Sequence, residues 1–270
     1  MSARVPRAVM LAAGTLVLAL IPYTRADAQG FAAVITPPRF ELNVKAGDRS
    51  RHIVEIGNVL PTPTVIRART TDWKFDARDV VQFEDALAPG SCRPWVAIER
   101  RELTIAGGGN YRFRFEIAPP ADAPPGECRF ALMFEGDEQT VATAGNATLG
   151  VTARIGVIVY AAVGDAKPKL EVVGTRVALR NNEPTAIVDV RNSGNAHGRM
   201  SGFLSGSDAA GQSLEFNIST LPILPGEMRG LELTARVDSN EPVKVSFPVT
   251  IRGKLEWAGE VVPFEQRFVQ

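Results

Sequence analysis

The chain has 270 residues, of which 45% are hydrophobic and 22% are charged, and its formal net charge at pH 7 is +0. This balance argues against a general nucleic-acid binder, because binding to a phosphate backbone requires a basic face. The length suggests one or two domains of ordinary size. The 19 prolines and 24 glycines are spread along the chain as turn signals and form no low-complexity tract.

The first 28 residues are typical of an export signal. Arg4 and Arg7 give a positive start, residues 8–21 form an apolar core, and Ala26 and Ala28 place small residues where a signal peptidase cleaves. The alternative is a membrane anchor, but the apolar run falls short of the ~20 residues that a spanning helix needs. We expect cleavage after Ala28, a mature chain with a net charge of −2, and no membrane span after cleavage.

The sequence contains two cysteines, Cys92 and Cys128, and both lie in the exported part. In an oxidising compartment an isolated pair is more often a disulfide than a metal or redox site. The pair also lacks the spacing of a redox motif and the additional ligands that zinc requires. We predict a disulfide between them.

The first half of the mature chain is predicted to consist of short alternating strands. Phe40, Leu42 and Val44 share one face of a first strand, and residues 111–117 alternate four apolar with three charged side chains. Residues 74–92 are predicted to be polar and irregular apart from Val80, Val81 and Phe83. Several strands at this spacing, without a helical period, indicate a β-sandwich.

The most regular strand of the chain covers residues 146–160. Its odd positions from 149 to 159 are all apolar, whereas its even positions include Gly150, Thr152, Arg154 and Gly156. Successive side chains of a strand point to opposite faces, so this pattern predicts one apolar face. Such a strand must lie inside a sheet or offer its face and edge to a partner.

Residues 164–168 are predicted to be a linker, and about seven further strands follow, among them residues 231–237 and 243–255. The sequence therefore predicts an all-β fold of two immunoglobulin-like β-sandwich domains in tandem, covering residues 29–163 and 164–270.

Residues that could carry catalysis are few. His52 and His197 lie in different predicted domains and are interpreted as surface or turn residues, and no nucleophile elbow, metalloprotease motif or phosphate-binding loop occurs. We expect no enzyme activity, no catalytic residues, no metal site and no cofactor.

Four sequence features resemble, in their order, the PapD-like periplasmic chaperones of pilus assembly. They are residues 36–39 (TPPR) before the first strand, residues 94–98 (PWVAI) with 103–105 (LTI), residues 124–127 (PPGE), and the long alternating strand. The resemblance covers most of residues 31–162. It implies a periplasmic protein whose partners are pilin or adhesin subunits and an outer-membrane usher.

The resemblance also implies roles for individual residues. Chaperones of this family add their seventh strand to an incomplete subunit, a role that would fall to Leu149, Val151, Ala153 and Ile155. The alternative is that these side chains face their own core, as we predict for Val157 and Val159. The family anchors the subunit carboxylate with a basic pair, because a buried carboxylate needs charged donors.

Arg39 matches the first member of that pair. The second, a lysine on the seventh strand, is absent, since Gly156 lies near its place; Arg154 is the proposed substitute. The second domain resembles generic immunoglobulin-like modules. An alternative function is therefore a non-enzymatic immunoglobulin-like binding or structural module of the bacterial cell envelope.

Overall fold

The computed structural model describes residues 32–142, 148–236 and 243–270. The predicted export signal, residues 1–28, lies outside the described residues, as do Asn146 and Val237. No helix in the described part has the length and hydrophobicity of a membrane span.

Twelve strands precede residue 164 in the described part. They are β1 (Ala33–Thr36), β2 (Arg39–Val44), β3 (Ser50–Asn58), β4 (Thr64–Phe75), β5 (Val81–Glu84), β6 (Val96–Ile98), β7 (Glu102–Ile105), β8 (Asn110–Ile117), β9 (Gly126–Gly136), β10 (Gln139–Ala142), β11 (Thr148–Val151) and β12 (Arg154–Val163). One short 3-10 helix, Arg93–Trp95, lies before β6.

These strands form a sandwich of two main sheets. One has the order β1-β3-β8-β6, and the other has the order β2-β12-β9-β4-β5, with β7 also paired to β4. Strands β10 and β11 form a hairpin of their own. The alternating apolar residues of β8, β9 and β12 face inward, and Phe113, Phe115, Phe130 and Phe134 are among the largest fully buried side chains. Period-two patterning thus places the core between the sheets.

The predicted disulfide is confirmed. Cys92 and Cys128 are bonded, with their Cα atoms 5.6 Å apart. Cys128 lies in β9, and Cys92 lies at the end of the connection between β5 and the 3-10 helix. The bond therefore ties this connection to a central strand of the larger sheet.

The second domain contains seven strands in the described part: β13 (Leu170–Arg180), β14 (Glu183–Asn192), β15 (Ser201–Ser207), β16 (Ser213–Ile218), β17 (Met228–Arg236), β18 (Val249–Trp257) and β19 (Glu260–Phe268). They hydrogen-bond in the order β13-β14-β17-β16-β15-β18-β19. The sheet curls around one apolar core until β13 and β19 come into contact. The strand predicted for residues 243–255 starts later, at Val249.

The all-β prediction with two sandwich-like domains is confirmed, whereas the prediction for residues 74–92 is wrong in part. Residues 72–75 of β4 pair with residues 81–84 of β5 as a hairpin. Asp76 closes its turn by accepting hydrogen bonds from the backbone N–H groups of Arg78, at 2.8 Å, and Val80, at 2.9 Å. An aspartate that caps its own turn in this way is a local signal present in the sequence.

Candidate functional site

Strand β12 is paired along one edge and only half paired along the other. Its whole length, Arg154 to Val163, is antiparallel to β9. Its other edge pairs in parallel with β2, but only from Ile158 to Val163. In the described part of the chain, residues 154–157 therefore have a strand on one side and none on the other. An unpaired edge of this kind presents free backbone N–H and C=O groups to another chain.

Strand β11 continues this open edge. It pairs with β10 alone among the described strands, and all four of its residues are exposed. Leu149 is 56% exposed and Val151 is 42% exposed. Two apolar side chains at alternate positions, on a strand with an open edge, are the arrangement expected of a strand that complements a partner.

The alternating strand divides near residue 156. Ala153 and Ile155 are half-buried, whereas Val157 and Val159 are fully buried in the core of the first domain. The prediction that Val157 and Val159 face the core is confirmed. Of the four predicted client-binding residues, Leu149 and Val151 are available at the surface and the other two are partly covered.

Arg39 and Arg154 are not brought together. Arg39 is the register partner of Ile158 on β12. Arg154 lies four residues earlier on that strand, opposite Glu135 of β9. Four residues of strand span about 13 Å, so the two side chains start at different levels of the same face. Arg39 instead contacts its neighbour Glu41, with Nε 2.9 Å from Oε1.

Gly156, near the place of the expected lysine, is covered by an aromatic ring. A Cβ atom built on Gly156 would lie 2.2 Å from Cζ and 2.5 Å from Cε1 of Phe83. No side chain fits there unless Phe83 moves, because real contacts are longer than 3 Å. While Phe83 stays in this place, only glycine fits at position 156.

Two residues of the second domain reach the surroundings of Arg39. Nε of Arg199 and Nε2 of His197 each lie 3.6 Å from Oε1 of Glu41, the carboxylate that also contacts Arg39. The guanidinium of Arg199 lies 6.0 Å from the centre of the Tyr160 ring. The basic side chain that faces Arg39 across Glu41 is thus Arg199, and Arg154 is not part of this group.

His197 follows the turn at residues 192–195, as interpreted, but its side chain is largely covered at the contact between the domains and is not a free surface group. Its ring stacks on Tyr160 with centroids 3.8 Å apart. Its backbone N–H donates to Oε2 of Glu127 at 3.1 Å, and its Nδ1 lies within hydrogen-bonding distance of the same oxygen. Burial raises the pKa of Tyr160 to about 12 from its ordinary value of 10, so the ring stays neutral even in mildly alkaline solution.

Sequence reasoning missed His197 and Arg199 because they act through contact with another domain. Their only local signal is their position directly after the turn at residues 192–195, where a loop of the second domain approaches β9. Among the described residues, no group of three or more His, Cys, Asp or Glu side chains could hold a metal ion.

Comparison with known proteins gives structural matches only. No family model matches the sequence, and no curated protein matches it. The YadV chaperone structure is 12% identical, with 87% of this chain and 98% of that chain covered and a TM-score of 0.47. The class 5 fimbriae chaperone CfaA is 13% identical, with coverages of 88% and 100% and a TM-score of 0.46.

A third match is the CsuC–CsuE chaperone–tip adhesion subunit pre-assembly complex from the archaic chaperone-usher Csu pili of Acinetobacter baumannii. It is 12% identical, with coverages of 88% and 98% and a TM-score of 0.44. Identities of this size and TM-scores below 0.5 do not assign the chain to a family.

Proposed function

We propose that the protein is a non-enzymatic periplasmic chaperone that holds incomplete pilus or adhesin subunits by adding its own strand to them. The observation that carries the proposal is the open edge of β11 and the start of β12, from which Leu149 and Val151 project into solvent. Backbone hydrogen bonds along this edge would supply affinity, and the alternate apolar side chains would fill a groove in the subunit.

The two side chains account for a substantial part of the expected affinity. Burying an exposed Leu or Val stabilises a complex by roughly 1.5–3 kcal/mol each. Because about half of each side chain is already covered in the free protein, the two together contribute about 1.5–3 kcal/mol, which corresponds to roughly a 10- to 150-fold change in the dissociation constant. Ala153 and Ile155 are proposed to extend the same contact after a small adjustment, since both are only half-buried.

The first prediction tests this strand. Replacing Leu149→Asp and Val151→Asp together places two charges in the proposed groove, so we expect at least a 100-fold loss of subunit retention. The measurement is co-purification of the tagged protein with pilin or tip-adhesin subunits, first identified by mass spectrometry with the wild type and then co-expressed with each variant.

The matched control is the pair Leu179→Asp and Val261→Asp, at exposed apolar positions on strands of the second domain. Both double variants should unfold thermally at the temperature of the wild type, because none of the four side chains is buried. Wild-type retention by the Leu149→Asp, Val151→Asp variant would refute strand addition.

An immunoglobulin-like binding or structural module of the cell envelope is the second candidate. The observation that favours it is the covered Gly156, which replaces the basic residue expected on the seventh strand. A module without a client strand would be expected to pair both edges of residues 148–157. The open edge at residues 154–157 therefore supports the chaperone over the module.

A further inference from the structure

Residues 76–91, here called the strap, connect the end of β4 to Cys92. The strap contains β5, which pairs with residues 72–75 of β4, and it reaches over the outer face of the sheet, the face opposite the core. Val81 packs against a small cluster that contains Ile158, Ala131 and Tyr160. Oδ1 of Asp85 lies 3.4 Å from a guanidinium nitrogen of Arg69. The strap therefore crosses β12, β9 and β4.

The strap also covers the half of β12 whose edge is open. The ring of Phe83 occupies the position where a side chain of residue 156 would lie. Phe83 is itself 37% exposed, so it forms part of the surface beside this edge. A strand that added to residues 154–157 would run next to this ring, because neighbouring strands lie about 4.8 Å apart.

The side chain of Met133 lies in the part of the sheet that the strap covers. In the sheet it lies between Gly156 of β12 and Arg69 of β4. Strap residues Phe83 and Asp85 lie over those two neighbours, and Met133 is fully buried although its side chain points away from the core of the first domain. Burial of Met133 thus reports whether the strap is in place.

The tip of the strap is fastened to the second domain. Asp79 forms an ion pair with Arg229 of β17, and the guanidinium of Arg229 lies 4.4 Å from the centre of the Phe75 ring. Arg229 is only 8% exposed, and its other carboxylate contact is Glu227, at 3.3 Å. A nearly buried guanidinium requires compensating charge, so the loss of Asp79 leaves it poorly satisfied.

Both ends of the strap are fixed within the first domain. Its start is continuous with β4, and its end is held by the disulfide at Cys92. Oδ2 of Asp72 accepts a hydrogen bond from the backbone N–H of Ala88 at 2.9 Å, and Arg93 donates to the carbonyl of Asp85 at 2.9 Å. Between these anchors β5 is paired to residues 72–75 of β4, and in the described part these four residues pair with no other strand. The strap is therefore able to lift only together with the end of β4, as one hairpin whose tip lies on the second domain.

We propose that the strap couples the contact between the domains to the cover over strand β12. While Arg229 holds Asp79, Phe83 stays on Gly156 and the outer face beside the open edge is closed. When this pair breaks, the strap lifts and uncovers Gly156 and Met133. The importance of this face for a client rests on the proposed function, whereas the coupling itself is a property of the free protein.

The second prediction measures the coupling with a buried thiol. Met133→Cys places a free cysteine under the strap. Under native conditions, the rate at which a maleimide labels this cysteine measures how often the strap opens. Adding Asp79→Asn should accelerate labelling at least tenfold. Asparagine suits this position, because Asp79 has a φ of 62°, in the left-handed region that asparagine tolerates. Phe83→Ala should also accelerate labelling.

The control is Asp122→Asn, which removes an exposed carboxylate elsewhere in the first domain. Arg229→Gln should raise the labelling rate as Asp79→Asn does, and the two changes together should raise it no further than either alone. Equal rates for Asp79→Asn and Asp122→Asn, additive effects of Asp79→Asn and Arg229→Gln, or an already fast reaction of Met133→Cys would each overturn the proposal. None of these outcomes depends on subunit capture, which the Leu149 and Val151 variants test separately.

Discussion

At the scale of single residues, buried polar side chains fix the loops by hydrogen bonds to backbone groups that are not paired between strands. Asn192 is fully buried, and its Nδ2 donates to the carbonyls of Ala196 and Ile223, both at 2.8 Å. Its Oδ1 accepts from the backbone N–H groups of Gly194, at 2.9 Å, and Lys169, at 3.1 Å. One amide side chain thus fixes the turn after β14 to the start of β13.

Asp208 has a similar role through a charged group. Its Oδ1 accepts from the backbone N–H groups of Gln212, at 2.9 Å, and Ala210, at 3.0 Å, and its Oδ2 accepts from that of Ser246, at 3.1 Å. These hydrogen bonds, with that of Gln212 the strongest influence, lower the pKa of Asp208 below its ordinary value of 3.8. The folded state therefore favours the ionised form.

The third prediction concerns the pH dependence that follows. A carboxyl group with a lowered pKa contributes stability that is complete above the unfolded value of 3.8 and is lost as the pH falls through the folded value. Asp208→Asn should therefore be less stable than the wild type at neutral pH, and the difference should shrink as the pH falls below about 4.

Urea unfolding at several pH values measures this difference, and Asp165→Asn, at an exposed aspartate between the domains, is the control. A stability difference between Asp208→Asn and the wild type that stays constant down to pH 2 would contradict the assignment of this stability to the ionised carboxylate.

At the scale of elements, one alternation of apolar residues along β11 and β12 forms both a core surface and an exposed surface. The apolar residues of β12 from Val157 onward fill the core, and the same alternation continued into β11 leaves Leu149 and Val151 exposed. The change occurs at Val157, one residue before β2 begins to pair at Ile158. Pairing with β2 therefore closes the edge of β12 at nearly the same place where its side chains enter the core, and the part before it keeps an open edge.

The fourth prediction follows from the register of β2 against β12 and rests on the proposed function. Arg39→Ala should weaken subunit retention by at least about tenfold, since a charge-assisted hydrogen bond contributes roughly 1.5–3 kcal/mol. Arg154→Ala should change it less than about twofold, because Arg154 lies four residues from the level of Arg39. The measurement is the co-purification used for Leu149 and Val151. The opposite order of effects would support Arg154 as the anchor.

At the scale of the whole molecule, the two domains share a small apolar cluster. Leu224 of the second domain packs with Trp73, Ala131 and Tyr160 of the first, and it is almost fully buried. Leu224 is not part of the second domain's own core cluster. The ion pair of Asp79 with Arg229 and the contact of His197 with Glu127 lie in the same interface.

The fifth prediction separates this interface from the two cores. Leu224→Asp places a charge in the shared cluster, so the domains should part while each keeps its own core. We expect a larger radius of gyration by small-angle X-ray scattering and an unchanged far-ultraviolet circular dichroism spectrum. Leu179→Asp, at an exposed position, is the control and should change neither quantity. An unchanged radius for Leu224→Asp would show that the polar contacts alone hold the domains together.

The strands and the core were predictable from the sequence because period-two alternation is a local property. Phe113, Phe115, Val157 and Val159 are buried as their alternation predicts, and Cys92 and Cys128 form the expected bond. The turn at Asp76 was also predictable, because an aspartate that caps its own turn is a local pattern. The sequence did not indicate which surface the hairpin would pack against.

By itself, the sequence determined the all-β class, the two sandwich-like domains, the disulfide and the apolar face of residues 149–159. Only the tertiary structure decided which edge of that strand stays open, that the strap covers Gly156, and that His197, Arg199 and Arg229 meet the first domain. The physical reason is the range of the interactions. Alternation acts between neighbouring residues, whereas edges, covers and domain contacts depend on pairs of residues far apart in the chain.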